Sequence, residues 1–437
     1  MAHENTIFSQ LFHFLPRHVF SRAVERLQAD RYCKHFTAWQ QFIVLLYAQI
    51  SGKDSLRPIV RGLDAHGRRL YHLGLSEVAR STLADALQRR PAALFEDLFY
   101  AVLARAQSMA PPHKFRFKNP LYSLDSTTID LCLSVFDWAR FRRRKGAIKL
   151  HFQLDHRGHL PVFMVLSEGA IHDMTVARAH FHPEPDSIYC FDRAYRGLDW
   201  WDEFQRCGAF FVTRAFANQS LQVIGQHAPP TAPGILADEI VEFEGEVSHR
   251  KYPHRLRLIT FLEPDSGRIY RFLTNHFRLA ASTLAEIYHQ RWQIETFFRW
   301  VKQNLKIKTF LGTSRNAVLA QIWVAMIYFL LLAYFGFLSR SPFSMTELTQ
   351  RIADTLMHRV NLLEVVALSR IPPVVPPRKQ DTFRQLLEMF VPVRTPSGFG
   401  NRGPSGSAAR CRSACTPRWP GGPPPSFRID STRSPLL

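Results

Sequence analysis

From Val318 to Leu338 the chain reads VLAQIWVAMIYFLLLAYFGFL, 21 residues in which Gln321 is the only strongly polar side chain. A helix apolar on every side must be covered on every side, by lipid or by the rest of the protein. Which cover applies dictates the remaining fold. No other segment looks membranous, and the opening MAHENTIFSQLF lacks the basic-then-apolar pattern of a secretory signal. The run therefore reads as the buried central helix of a large core in a cytoplasmic protein. The 437 residues suffice for such a core and for two or three domains.

Charge narrows the partners. Apolar residues at 46% and charged residues at 21% describe a globular chain, yet 56 basic side chains stand against 36 acidic ones, a net charge of +20. That balance favours a polyanion, nucleic acid or an anionic membrane surface. The cysteines Cys33, Cys132, Cys190, Cys207, Cys411 and Cys415 are scattered without a CxxC pair. Neither a disulfide framework nor a zinc ribbon is indicated.

Residues 1–115 read as helical. FTAWQQFIVLLYAQISG has helical length, and DSLRPIVRGL followed by HLGLSEVARSTLADALQRR suggests two short helices with Ser81 as N-cap. Arg80, Arg89 and Arg90 make this pair a candidate helix-turn-helix surface for DNA. Over 120–213 the texture becomes β-rich: LYSLDSTTIDLCL, then KLHFQLD and LPVFMVLSEG around the turn HRGH, then HDMTVARAHF as a helix capped by His172-Asp173. SIYCFD, GLDWWDEFQRCG and AFFVTRA continue as strand, helix and strand, an α/β sheet order. Residues 214–278 (IVEFEGEV, RLRLITFLE, IYRFLTN) read as a β-rich insertion, 279–340 as helices resuming at Thr283, and 341–393 as a C-terminal helical segment. The tail 394–437 is rich in Pro, Gly, Ser and Arg and cannot build a core. Its GFGNRG matches GxGxxG literally, but no strand precedes it and no helix follows, so a nucleotide loop is rejected. Asn218 begins a glycosylation tripeptide without meaning in the cytosol.

Three acids stand out. Asp125 lies within a strand-like run, Asp192 ends an apolar strand, and Glu295 lies in the greasy helical stretch YHQRWQIETFFRWVK. An acid in or at the end of a central strand is costly unless exposed at an edge or bound to a cation. On a regular helix, Tyr288, Arg291, Glu295 and Lys302 fall within an arc of about 60° along a line of about 21 Å. Ile287, Ile294, Phe298, Val301 and Leu305 form an apolar stripe beside them. An amphipathic helix with Arg–Glu support explains this equally. A carboxylate flanked by cations beside a buried stripe is also what a site for metal and phosphate needs. Two Mg²⁺ ions about 3.5–4 Å apart require bridging and terminal carboxylates.

SLDSTTI, YCFDRAY and the spacing Y-x2-R-x3-E-x6-K together resemble the DDE transposases of bacterial insertion sequences, in the insertion sequence 4 family, over roughly residues 5–390. The resemblance implies a ribonuclease H-like catalytic core interrupted by a β-rich insertion and preceded by an α-helical DNA-binding domain. It implies Asp125, Asp192 and Glu295 as ligands of two Mg²⁺ ions, for which Mn²⁺ substitutes. Tyr288, Arg291 and Lys302 would contact transposon-end phosphates, joined by Arg193, Lys149 and Arg299. The activity implied is binding of terminal inverted repeats, cleavage at the ends and transfer of the 3′-OH to target DNA by a homodimer. A degenerate copy that only occupies the repeats as a repressor is the alternative. Tyrosine recombination through Tyr288 would need no metal. Family chains finish soon after a segment like QDTFRQLLEMF, so the tail reads as a frameshifted or read-through extension.

Overall fold

In the computed structural model the chain opens with helices α1 (Ile7–His13), α2 (Arg17–Arg26), α3 (Ala38–Ile50), α4 (Leu56–Ala65), α5 (Gly67–Leu70), α6 (Arg80–Arg89) and α7 (Ala93–Met109). Next come β1 (Leu121–Leu131), β2 (Arg140–Arg142), β3 (Lys145–Asp155), β4 (Leu160–Glu168), α8 (Asp173–His180), β5 (Ile188–Phe191), α9 (Leu198–Cys207) and β6 (Phe210–Arg214). β7 (Leu221–Gln226), β8 (Ile235–Phe243), α10 (Glu246–Lys251), β9 (Leu256–Leu262) and β10 (Ile269–Thr274) follow. The chain closes with α11 (Ala281–Gln290), α12 (Trp292–Asn304), α13 (Arg315–Ser339), α14 (Met345–Thr355) and α15 (Leu362–Ala367). The structure describes residues 5–367 except 76, 133, 143–144, 217–218, 230–231 and 305–309. Asn218, Leu305, the part of the C-terminal helical segment beyond 367 and the 394–437 tail with GFGNRG lie outside the described residues.

The apolar run forms most of α13, and the protein covers it. In its most apolar 18-residue window 83% of the residues are buried. α3, α6, α7, α14, α15 and β4 all pack on it. Trp323 meets Phe99 of α7 at 5.0 Å between ring centroids. Gln321 accepts the Leu311 N–H at 3.0 Å, which satisfies the one strongly polar group in the run. Asn316 anchors the turn before α7, accepting from the Ala92 N–H at 2.9 Å and donating to the Leu87 and Arg90 carbonyls at 3.1 and 2.7 Å.

Two sequence expectations in the N-terminal helices need correction. Ser81 is not an N-cap: the residue before α6 is Ala79, with no side-chain cap. Burial of Leu83, Ala86 and Leu87 fixes where this helix lies. Arg90 does not belong to a DNA-facing surface, being only 8% exposed. Its guanidinium donates to the Phe36 and Ala29 carbonyls and to Gln41 Oε1, and pairs with Asp30 at 3.2 Å. Every partner comes from the α2–α3 region, which the sequence around Arg90 cannot reveal.

Among the described residues the strands form one ten-stranded sheet in the order β2-β3-β1-β5-β6-β10-β9-β8-β7, with β4 also on β3. β3 is antiparallel to β1, whereas β5 and β6 run parallel to it. The β-rich segment 214–278 extends this sheet, entering through β10 beside β6. Alternation along β1 assigns its two faces. Tyr122 and Leu124 join a core with α8 and α9. Leu121 faces α11, and Ile129 joins the core built around α12 and α13.

Candidate active site

The parallel register pairs Leu124 with Phe191, so the next step places Asp125 beside Asp192. Both acids share the α11–α12 face, because Leu121 and Ile129 alternate with Asp125 there, as do Ile188 and Cys190 with Asp192. β5 ends at Phe191, and from Asp125 onward β1 has no strand partner on that side. Ligands commonly bind in the crevice that such a strand end leaves. Asp125 Oδ1 accepts from the Ser126 N–H at 2.8 Å, and Asp192 Oδ1 from the Ala194 N–H at 2.8 Å.

The third acid arrives on α12. Phe297 and Phe298 pack on Phe152, at 5.0 and 5.9 Å between centroids, and Phe152 lies opposite Asp125 on β3. That packing sets Glu295 over the strand end. Arg291 joins the acids, donating through Nη1 to Asp125 Oδ2 at 3.0 Å and through Nη2 to Glu295 Oε1 at 2.7 Å. The Arg–Glu helix pair of the plain amphipathic reading is thus present, with Asp125 on the same fork. Arg291 Nε is buried without a partner. Burial pushes the Asp125 carboxyl up to about 7, Arg291 works against that rise, and the nearby Asp192 and Glu295 charges add to it. Asp192 is also raised, chiefly by burial and then by Asp173 and Glu295, against the pull of the Ala194 N–H and Arg291. Among the described residues no three His, Cys, Asp or Glu side chains form a ready-made metal cage. A guanidinium stands between two of the acids instead.

The stretch 288–302 is not the regular helix assumed from its sequence. α11 ends at Gln290, and the chain tightens at Arg291. The Arg291 N–H donates to the Tyr288 carbonyl at 3.1 Å and the Ile294 N–H to the Arg291 carbonyl at 3.0 Å, both three residues back. Such bonds tighten the turn locally, yet the Arg291 guanidinium still lies 5.7 Å from the centre of the Tyr288 ring and bonds Glu295. Tyr288 packs on Phe272 at 4.9 Å and lines a cavity of about 310 Å³ with Arg214, Tyr270, Arg291 and Trp292. Arg299 and Lys302 are exposed on α12. Arg193 is exposed, with its guanidinium 5.6 Å from the centre of the Phe216 ring that Arg196 also covers. Arg80 and Arg89 are exposed on α6, Arg89 at 3.8 Å from Asp85. Lys149 is not solvated: it pairs with Asp173 at 3.2 Å and donates to the Ile171 carbonyl at 3.1 Å.

The sequence offers His172-Asp173 as a helix cap and Tyr195 only as the last residue of YCFDRAY. His172 does cap α8, its Nδ1 accepting from the Met174 N–H at 3.2 Å. Asp173 does more than cap, accepting from Ser126 Oγ at 3.0 Å beside Asp125. An acid in the first turn of a helix looks like ordinary dipole compensation, and only the tertiary fold distinguishes this one.

Residues 116–331 match the family described as transposase DDE domain, and residues 3–76 match a domain of unknown function, DUF4372. A Sinorhizobium fredii protein described as transposase y4zB is 32% identical over 302 residues, covering 68% of this chain and 82% of the relative. A Geobacillus stearothermophilus protein described as a transposase for insertion sequence element IS5377 is 28% identical over 263 residues, covering 60% and 68%. A piggyBac transposase synaptic complex with hairpin DNA superposes with TM-score 0.37 and 9% identity over 89% of this chain and 84% of the other, too remote a likeness to carry an argument. The chain belongs to the DDE transposases.

Proposed function

We propose that this transposase binds the terminal inverted repeats of an insertion sequence, cuts at its ends and transfers the freed 3′-OH to target DNA. One observation carries the reading: Asp125 and Asp192 are brought side by side by the parallel strands, and Glu295 is tied to Asp125 through one guanidinium. The donor set fits divalent metal. Three carboxylates on three elements offer the hard anionic oxygens that Mg²⁺ or Mn²⁺ prefers, and Arg291 already supplies positive charge between two of them. Two such ions held there would activate water and stabilise the leaving 3′ oxygen. Around them Tyr288, Arg291 and Lys302 would position the transposon-end phosphates, with Arg193, Arg299 and Lys149 flanking. Of the three arginines expected to face DNA on the N-terminal helices, Arg80 and Arg89 are exposed and would serve repeat binding.

The strand order β4-β3-β1-β5-β6, with only β3 antiparallel to both neighbours, supports a ribonuclease H-like core. The spacing from Tyr288 to Lys302 supports membership of the insertion sequence 4 family. Two ends must be cut and joined together, which calls for a homodimer on DNA, acting in the bacterial cytoplasm. The silent-repressor alternative draws no support, since all three acids stand in place. The test is to incubate the purified protein and Mg²⁺ with labelled DNA carrying the sequences that flank its own gene. End-specific cleavage abolished by EDTA is expected. Cleavage indifferent to EDTA, or no difference between the wild type and Asp125→Asn, would overturn the reading.

A further inference from the structure

The acids of the site are approached from both faces of the sheet. Asp125, Asp192 and Glu295 come from the α11–α12 face. From the α8–α9 face come Asp173 and Tyr195, meeting them where β1 runs on alone past the end of β5. Asp173 Oδ1 is tied at 3.0 Å to the hydroxyl of Ser126, whose N–H binds Asp125. It also pairs with Lys149 at 3.2 Å.

Two buried polar atoms here have no partner among the described residues. The Tyr195 side chain is 1% exposed, and its hydroxyl makes no hydrogen bond. The charged groups acting on that hydroxyl are Asp125, Asp173 and Asp192. His151 is fully buried, spends Nε2 on Ser167 Oγ at 2.8 Å, and leaves Nδ1 unbonded 3.7 Å from Asp173 Oδ1. A buried hydroxyl left unsatisfied carries its full desolvation penalty. Native proteins rarely tolerate this unless an ordered water or ion completes the bond. A water needs about two to four polar partners to stay, and this corner supplies them.

We propose that Asp173 and the Tyr195 hydroxyl are positioning residues of the catalytic centre, holding ordered water against Asp125 and Asp192 and so tightening the divalent-cation site. The inference rests on the metal reading above. Groups that orient the surroundings of a metal site typically change its affinity about 10–100-fold when removed.

The measurement is Mn²⁺ binding to the full-length protein without DNA, followed by the loss of the free-ion electron paramagnetic resonance signal. Asp173→Asn is expected to weaken binding about 10–100-fold, and Tyr195→Phe, which removes no charge, about 3–10-fold, below that range. Tyr195→Phe is the sharper variant. A purely structural role predicts that removing an unbonded buried hydroxyl leaves the protein as stable as before, or more so, with Mn²⁺ binding unchanged. Wild-type Mn²⁺ affinity in folded Tyr195→Phe and Asp173→Asn would overturn the inference. Should Asp173→Asn fail to fold, Tyr195→Phe decides alone. Asp125→Asn separates the two levels: if it too binds Mn²⁺ like the wild type, the metal reading fails, and the inference fails with it.

Discussion

Two aspartate–arginine pairs, each with its aspartate on the same sheet, have opposite characters. Asp238 on β8 and Arg257 on β9 are each 2% exposed and meet through two parallel bonds of 2.7 and 2.6 Å. The remaining Arg257 nitrogen donates to the His276 and Leu279 carbonyls at 3.3 and 2.6 Å, so every guanidinium nitrogen is bonded. Arg291 and Asp125 are 15% and 19% exposed, share one bond of 3.0 Å, divert the other arm to Glu295 and leave Nε orphaned. A closed buried pair locks strands together. An incompletely satisfied one with an extra acid marks a place where charge is meant to be exchanged, and perturbed carboxyls gather at such places.

Replacing the acids should separate the two most widely. Asp125→Asn and Glu295→Gln are expected to lower DNA-end cleavage by at least about 10³-fold, as loss of an anionic metal ligand implies, with the fold intact by circular dichroism. Asp238→Asn should leave cleavage per folded molecule within a few-fold. A comparable catalytic loss in the β8 variant would break the contrast.

Stability should reverse the ranking. Arg257→Ala strands a buried carboxylate and is expected to cost about 3–5 kcal/mol in denaturant unfolding. Arg291→Ala leaves two acids with partial access to water and should cost about 1–2 kcal/mol without metal, a figure reduced for solvent screening. Equal losses would mean that Arg291 is as structural as Arg257.

The pH response sharpens the same point. Asp125 is raised to about 7 from its ordinary 3.8, so between these values the folded state holds a proton that the unfolded state has lost. Its contribution is full below about pH 4 and is lost as pH rises through about 7, up to about 4 kcal/mol in all. The measurement is the difference in unfolding free energy between metal-free wild type and Asp125→Asn. His151 and His156, lowered to about 4 and about 3 chiefly by burial, act in the opposite sense and cancel in that difference. A flat difference from pH 4 to 8 would show that Asp125 is ionised throughout. The smallest effect is expected at exposed Lys302: Lys302→Ala should reduce the salt slope of DNA binding by about one and leave stability within about 0.5 kcal/mol.

The sequence showed most where local pattern carries the information. The unbroken apolar run of α13, the strands around Asp125 and Asp192 and the hairpin at HRGH were all readable from composition and alternation. Whatever depends on distant partners was not. Arg90 looked like a surface cation because Asp30 and Phe36 lie far from it in sequence. The tightening at Arg291 follows from Phe297 and Phe298 docking on Phe152 while Arg291 reaches Asp125. Tyr195 closes the YCFDRAY stretch and Asp173 the His172-Asp173 cap, but the tie of Asp173 to Ser126 beside Asp125 becomes visible only in the fold. The edge strand β7, SLQVIGQH, is too polar to have declared itself, and its exposed Val223 and Ile224 have only β8 beside them.

The cover around α13 also sets a timetable for synthesis. α7 leaves the ribosome about 200 residues before α13, and α3 about 265 before it. At about 5–20 residues per second, that is roughly 10–50 seconds during which the faces they turn to α13 stay uncovered. Nascent chains of this transposase are therefore expected to need chaperone shelter until α13 emerges.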